Sequence, residues 1–225
     1  MSEMIRRGIG LLGGTFDPPH MGHLALASAA LSALPLARVN LLPAGHPWQK
    51  VGTITSAEHR LAMLKAAVDT LNRDDIGIDA REMLHDGPTY TIDTLEALRE
   101  RVGPAMPLVL IMGEDQWRNL LTWHRWEALL EKCHIAVANR ETSLQLPKAL
   151  EILLKCHQAT PQAICQSAAG AIVHFRMPAH RATSTGIRLA FSTLPLNEAL
   201  RRQGDALPTE VLTYIREHRL YGTAP

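Results

Sequence analysis

The chain has 225 residues, of which 46% are hydrophobic, and a formal net charge of +1. That length and apolar share suit one globular domain with a sizeable core, and the near-neutral balance argues against a protein that coats nucleic acid. The three cysteines, Cys133, Cys156 and Cys165, are odd in number and form no CxxC pair, so reduced thiols in a cytoplasmic protein are expected rather than a disulfide framework.

Arg6 and Arg7 precede an apolar run that is too short and glycine-broken for a signal peptide or a membrane span, and no membrane partner is expected. That run, residues 9–12, ends in Gly13 and Gly14 and reads as a buried strand. The glycines allow a ligand to approach the backbone where a Cβ would clash. Pro18 and Pro19 delay helix until His20, after which residues 24–34 are rich in Ala and Leu. His20 and His23 are three apart and share a face in the first helical turn. Free N–H groups at a helix start favour an anion, so the two imidazoles beside them suggest a phosphate site. His-x-x-His also suits a metal, but no third ligand stands nearby and no metal ligand is assigned.

Residues 37–43 form a second strand, and 44–53 a loop with two glycines, Pro47, Trp48 and Lys50. Ser56 caps a helix with Glu58 in its first turn. A short strand at 76–79 leads into a polar loop at 81–88, and Thr91 opens a helix carrying Ile92, Leu95 and Leu98. Residues 107–113 are the plainest buried strand. Residues 114–133 read as helix with a break near Thr122, and 134–138 as another strand. Cys133–His134 and Cys156–His157 do not match zinc spacings. The stretch 141–170 reads as a variable connection, with a helix at 144–154 and a break at Pro161. One more strand follows at 171–175. Residues 182–188 open a helix into Leu189 and Phe191, and 208–218 is a last helix with Val211, Leu212 and Ile215 on one face.

Alternating strands and helices predict an α/β fold, a Rossmann-like doubly wound parallel sheet with right-handed crossovers and helices on both faces. It is one domain, with a core over about residues 8–180 and a small C-terminal helical part over about 183–222. Ligands in such sheets sit at the carboxyl ends of the strands. Residues 13–23, 44–50, 113–115 and 139–140 all fall at that edge.

The string GTFDPPHMGH, residues 14–23, resembles the GTFDxxHxGH signature of the nucleotidyltransferase superfamily. Taken alone, Ser184 and Arg188 read as an ordinary helix cap and a solvent cation. Beside the first motif, Ser184-Thr185-Gly186-Ile187-Arg188 resembles the superfamily's second signature, with Thr183 where Ser is usual and Ala182 for a larger apolar residue. Over nearly the whole chain the arrangement is similar to the bacterial nicotinate-nucleotide adenylyltransferase family. The matches are Thr89-Tyr90-Thr91 before a helix, Gly113-x-Asp115, Thr122-Trp123, Pro47 with Lys50, and Arg140. The departures are Pro47-Trp48-Gln49-Lys50, where Pro-Pro-His-Lys is frequent, and Ala44 for an Asn. On spacing alone Trp123 is equally compatible with a core position beside Trp117 and Trp126, and Tyr90 with a core tyrosine.

The resemblance implies adenylyl transfer from ATP to nicotinate mononucleotide, giving deamido-NAD and pyrophosphate in NAD biosynthesis. It implies that Gly13, Gly14, Thr15, Phe16, His20, His23, Arg140, Ser184, Thr185, Ile187 and Arg188 meet ATP, with His20, His23 and Arg188 catalytic. Ala44, Lys50, Thr89, Tyr90, Thr91, Asp115 and Trp123 would meet the mononucleotide, with Trp123 stacked on the pyridine. Magnesium is expected with ATP, held mainly through phosphates and water. The alternatives are a relative using nicotinamide mononucleotide or another phosphate acceptor, and a non-catalytic nucleotide-binding regulator on the same fold. Preference for the acid over the amide is expected from backbone N–H groups around Ala44 and Trp123 and the hydroxyls of Thr89 and Thr91, because a carboxylate only accepts hydrogen bonds.

Overall fold

The computed structural model describes residues 7–45, 54–85, 87–139, 146–178 and 180–222. Six strands are present: β1 (Gly8–Gly14), β2 (Leu36–Pro43), β3 (Ile76–Ile78), β4 (Leu108–Gly113), β5 (His134–Asn139) and β6 (Ile172–Arg176). They form one sheet in the order β3-β2-β1-β4-β5-β6, and every neighbouring pair is parallel. The order reverses between β1 and β4, where the connections leave in opposite directions. This is the topological switch point at which such sheets bind ligands.

The helices are α1 (Met21–Ala33), α2 (Ala57–Asp69), α3 (Thr91–Val102), α4 (Glu114–Arg118), α5 (Leu129–Lys132), α6 (Lys148–His157), α7 (Ser184–Thr193), α8 (Leu196–Gln203) and α9 (Thr209–Glu217). Successive strand side chains point to opposite faces, so adjacent residues supply different cores. Leu12, Val39, Leu41, Val109 and Ile111 pack with α1, α2 and the C-terminal α7 to α9. Leu11, Leu42, Leu108, Leu110 and Met112 pack with α3, Trp117, Leu129 and Leu150. The expected doubly wound α/β sheet is therefore present.

The stretch 114–133 breaks near Thr122 as expected but is less helical than expected. It is α4, two single 3-10 turns at Leu120–Thr122 and Trp126–Ala128, and α5. Thr122 Oγ1 donates to the Asn119 carbonyl at 2.7 Å, Trp123 is extended, and Arg125 is left-handed at φ 51°. These breaks let Trp117 enter the core while Trp123 faces a cavity. The loop at 81–88 also contains a 3-10 turn, Arg81–Leu84. The connection after β5 carries α6 and a 3-10 turn at Pro161–Cys165.

Cys133 and His134 serve the sheet. Burial pushes the Cys133 thiol up to about 12. His134 Nδ1 accepts from Ala171 N–H at 3.1 Å and its Nε2 meets the Ser167 carbonyl at 2.9 Å. No helix among the described residues is long and apolar enough to cross a membrane.

Candidate active site

A cavity of about 380 Å³ opens at the carboxyl ends of β1, β2 and β4. Gly13, Gly14, Thr15, Phe16, His20 and His23 line one side, and Ala44, Thr89, Tyr90, Thr91, Asp115 and Trp123 the other. Ser184 closes it from α7. Thirteen of the residues singled out in the sequence thus meet in one space. Lys50 and Arg140 lie outside the described residues.

The β1–α1 turn is shaped by contacts that only glycine tolerates in part. A Cβ on Gly13 would meet no protein atom, whereas one on Gly14 would come to 3.0 Å from the Phe16 ring. The cavity reaches the backbone at Gly13 because nothing else fills that space. Phe16 sits at φ 51° with its ring 1% exposed. It meets the His23 ring edge-on at 4.9 Å, so it packs as much as it lines.

His20 is the N-cap of α1 and His23 is its third residue. Their rings stack with centroids 3.7 Å apart and planes 26° from parallel. His23 Nδ1 accepts the His20 backbone N–H at 3.1 Å. A ring nitrogen that accepts carries no proton, so neutral His23 is protonated on Nε2. That N–H is a donor at a helix start, where an anion is already favoured.

The second motif reaches this turn from α7. Thr183 caps the helix, its Oγ1 accepting from Gly186 N–H at 3.1 Å. Ser184 Oγ donates to the Pro18 carbonyl at 3.0 Å, and Arg188 Nη1 to the Asp17 carbonyl at 2.6 Å. Both side chains therefore brace the first motif. Ile187 is 1% exposed and belongs to the core, while Thr185 is exposed. Thr185, Ile187 and Arg188 lie outside the cavity lining.

Two side chains beneath the turn, Arg60 and Tyr221, were not singled out in the sequence. Arg60, 1% exposed, donates to the carbonyls of Thr15 (3.0 Å), Ala44 (2.6 Å), Gly45 (2.8 Å) and Thr55 (3.0 Å). Burial lowers its pKa, partly offset by Asp17. Asp17 accepts from Tyr221 O–H at 2.7 Å and from Thr55 N–H at 3.3 Å. Burial, and then the Asp17 charge, pushes the Tyr221 phenol well above its ordinary range.

On the other side of the cavity, two expected donors are taken. Ala44 N–H donates to the Gly14 carbonyl and Trp123 N–H to the Leu120 carbonyl, each at 2.9 Å. Trp123 Nε1 is instead a buried polar atom that completes no hydrogen bond, while the Thr89 hydroxyl is turned to the Glu82 carboxyl. Tyr90 packs at a tilt of 36° against His124, ring centroids 4.3 Å apart, and Asp115 stands exposed at the rim. Glu82 also lines the cavity and went unnoticed in the sequence, where it is one charge in a polar loop. Burial raises its pKa, against the Thr94 and Thr89 hydroxyls that favour the charged form.

A phosphate-type turn and an aromatic pocket sharing one switch-point cavity define a nucleotide-handling α/β protein. The model of the cytidylyltransferase-like family matches residues 11–189. A protein of Aeromonas salmonicida named "Probable nicotinate-nucleotide adenylyltransferase" is 39% identical over 222 residues, 97% of this chain and 99% of its own. One of the same name from Pseudomonas aeruginosa is 38% identical over 215 residues, 95% and 96% of the two chains. The nicotinic acid mononucleotide adenylyltransferase of Plasmodium falciparum, solved with NaAD, shares the fold at a TM-score of 0.72 and 16% identity, covering 97% of this chain and 99% of that one. The chain belongs to the cytidylyltransferase-like family and, within it, to the nicotinate-nucleotide adenylyltransferases.

Proposed function

We propose that the protein transfers the adenylyl group of ATP to nicotinate mononucleotide, releasing pyrophosphate and forming deamido-NAD. The observation that carries this reading is the shared cavity, with stacked His20 and His23 on one wall and Trp123 with Thr89 on the other. The mononucleotide's own phosphate is the nucleophile. Its second pKa is about 6, so near neutrality it is mostly dianionic and needs no general base. The protein's task is to hold two polyanions in line and to neutralise charge as pyrophosphate leaves. His23 Nε2–H and the α1 start serve the phosphates, Arg188 and Ser184 hold the turn in shape, and Trp123 offers a face for the pyridine.

Magnesium is proposed to travel with ATP. No group of three or more His, Cys, Asp or Glu among the described residues is arranged to hold a metal, and the carboxylate in the turn, Asp17, is occupied by Tyr221 and Thr55. Coordination through phosphates and water suits this ion, which supplies charge neutralisation.

The buried donor Trp123 Nε1 supports preference for the acid mononucleotide. A mismatched donor pair costs about 1–3 kcal/mol, so an advantage of about tenfold or more over the amide is expected. Pyrophosphate release from magnesium-ATP, measured with nicotinate mononucleotide, nicotinamide mononucleotide and 4′-phosphopantetheine, tests both points. Release with the acid above the others is expected. ATP binding without release would indicate a regulator, and equal rates with acid and amide would remove the selectivity.

A further inference from the structure

Glu82 stands on the acceptor wall of the cavity, where the reaction above has no use for a carboxylate. Its place is fixed twice. A Cβ on Gly45 would come to 2.1 Å from the Glu82 carbonyl, so the two backbones touch. Glu82 Oε1 accepts the hydroxyl of buried Thr94 at 2.7 Å. Thr89 also lines the cavity, and its hydroxyl is turned to the Glu82 carboxyl. Anything bonded to Thr89 therefore lies beside Glu82.

Two acceptor rings differ at one place only. Nicotinate presents a carboxylate and nicotinamide a carboxamide, which has two N–H donors. An ionised Glu82 repels the first and accepts from the second. A protonated Glu82 no longer repels the carboxylate and donates its O–H to it, while keeping an acceptor for the amide.

We propose that Glu82 is a specificity-determining residue that takes up a proton when the acid mononucleotide binds, so that preference for the acid over the amide is linked to pH. The inference rests on the acceptor reading above. The proton comes from solvent, settles on the Glu82 carboxyl and is shared with the ring carboxylate, and it returns to solvent when product leaves.

The surroundings set the sign. Asp79 raises the affinity of Glu82 for a proton and Arg81 lowers it, and these two are paired with each other at 2.7 Å. Arg60 lies below, bonded to the Gly45 carbonyl. From α3 and its lead-in come Thr94, Thr89 and Tyr90, and across the cavity stand Asp115 and His124. Among the described residues no cation pairs directly with Glu82, and its desolvation outweighs the hydroxyls. A second carboxylate brought alongside shifts the balance further toward the proton, since two like charges in one site do not both stay ionised.

The test is the ratio of kcat/KM for nicotinate mononucleotide to that for nicotinamide mononucleotide, from about pH 6 to 9. The phosphate, the ATP and the metal are common to both substrates and cancel in the ratio. In the wild type the ratio is expected to fall with rising pH, by up to about tenfold per pH unit for a one-proton linkage. Glu82→Gln holds a neutral donor of the same shape, so its ratio is expected to stay flat and to exceed the wild-type ratio at the alkaline end. Calorimetry of wild-type protein in two buffers of different ionisation heat gives a second reading, with more protons taken up for the acid than for the amide. A pH-independent wild-type ratio, equal proton uptake, or an unchanged slope in Glu82→Gln would overturn the role of Glu82 while leaving the adenylyl-transfer reading standing. Turnover of neither mononucleotide would overturn both.

Discussion

His23 has two jobs, and its two ring nitrogens divide them. Nδ1 accepts the His20 N–H and so caps α1, while Nε2 carries the proton that an incoming phosphate can meet. The two roles can be separated by substitution. Asn places a carbonyl oxygen near the position of Nδ1 and nothing at Nε2. His23→Asn is therefore expected to lower kcat by about a hundredfold, the scale of one lost oxyanion-type donor, with a thermal midpoint near that of the wild type. His23→Ala should lose the same activity and also about 1 kcal/mol of stability, as for a lost cap. Pyrophosphate release and calorimetric melting check the pair. Near-normal turnover in the Asn variant would reduce His23 to a helix cap.

At the scale of elements, the cavity depends on turns that are held apart at a set distance, and α2 sets it. Arg60 joins the β1 turn, the β2 turn and the lead-in to α2 through four carbonyls. Arg60→Met is expected to cost about 3 kcal/mol or more, because several buried acceptors and a desolvated contact are lost together. Urea unfolding measures it, and a loss under about 1 kcal/mol would mean that water takes over these carbonyls. Arg60 also shows where sequence reading stops. Its spacing puts it on the buried face of α2 with Met63, Leu64 and Ala67, but its partners are backbone oxygens, which have no identity in a sequence. The strands were legible because each is a short apolar run between breakers, and the phosphate turn because its chemistry is contiguous in residues 14–23. Beyond its break near Thr122, the stretch 114–133 was not, because Trp117 and Trp123 face different surroundings and Arg125 takes a left-handed conformation that no periodicity announces. Glu82 was hidden for a third reason. Its meaning comes from Thr94 and Gly45, and only folding brings them to it.

Across the whole molecule, the C-terminal segment is built into the site. Ala206 accepts from Met21 N–H, Ser184 and Arg188 donate to Pro18 and Asp17, and Tyr221 donates to the Asp17 carboxylate across 204 positions of sequence. The helical part expected at 183–222 thus shares its core with α1 and α2 and holds the turn that carries both histidines. Tyr221→Phe removes one of these ties and leaves Asp17, 2% exposed, short of a partner. A loss of about 1–3 kcal/mol is expected near neutral pH, with a smaller fall in turnover as the turn loosens. The pH dependence of that loss has a definite sign. Burial and the neighbouring Asp17 raise the folded pKa of Tyr221, while in the unfolded chain a tyrosine titrates near 10. Below about pH 10 both states keep the proton and the wild type holds its full advantage. Above it the unfolded chain releases the proton and the folded chain resists, so wild-type stability declines where the Phe variant has nothing to titrate. The other tyrosines and the lysines are common to both proteins and drop out of the difference. Urea unfolding of the two proteins at about pH 7, 9 and 10.5 is expected to show a constant gap and then a narrowing one. A gap that stayed constant to about pH 11 would mean that Tyr221 ionises as readily folded as unfolded, and that its hydroxyl is not bound to a buried carboxylate.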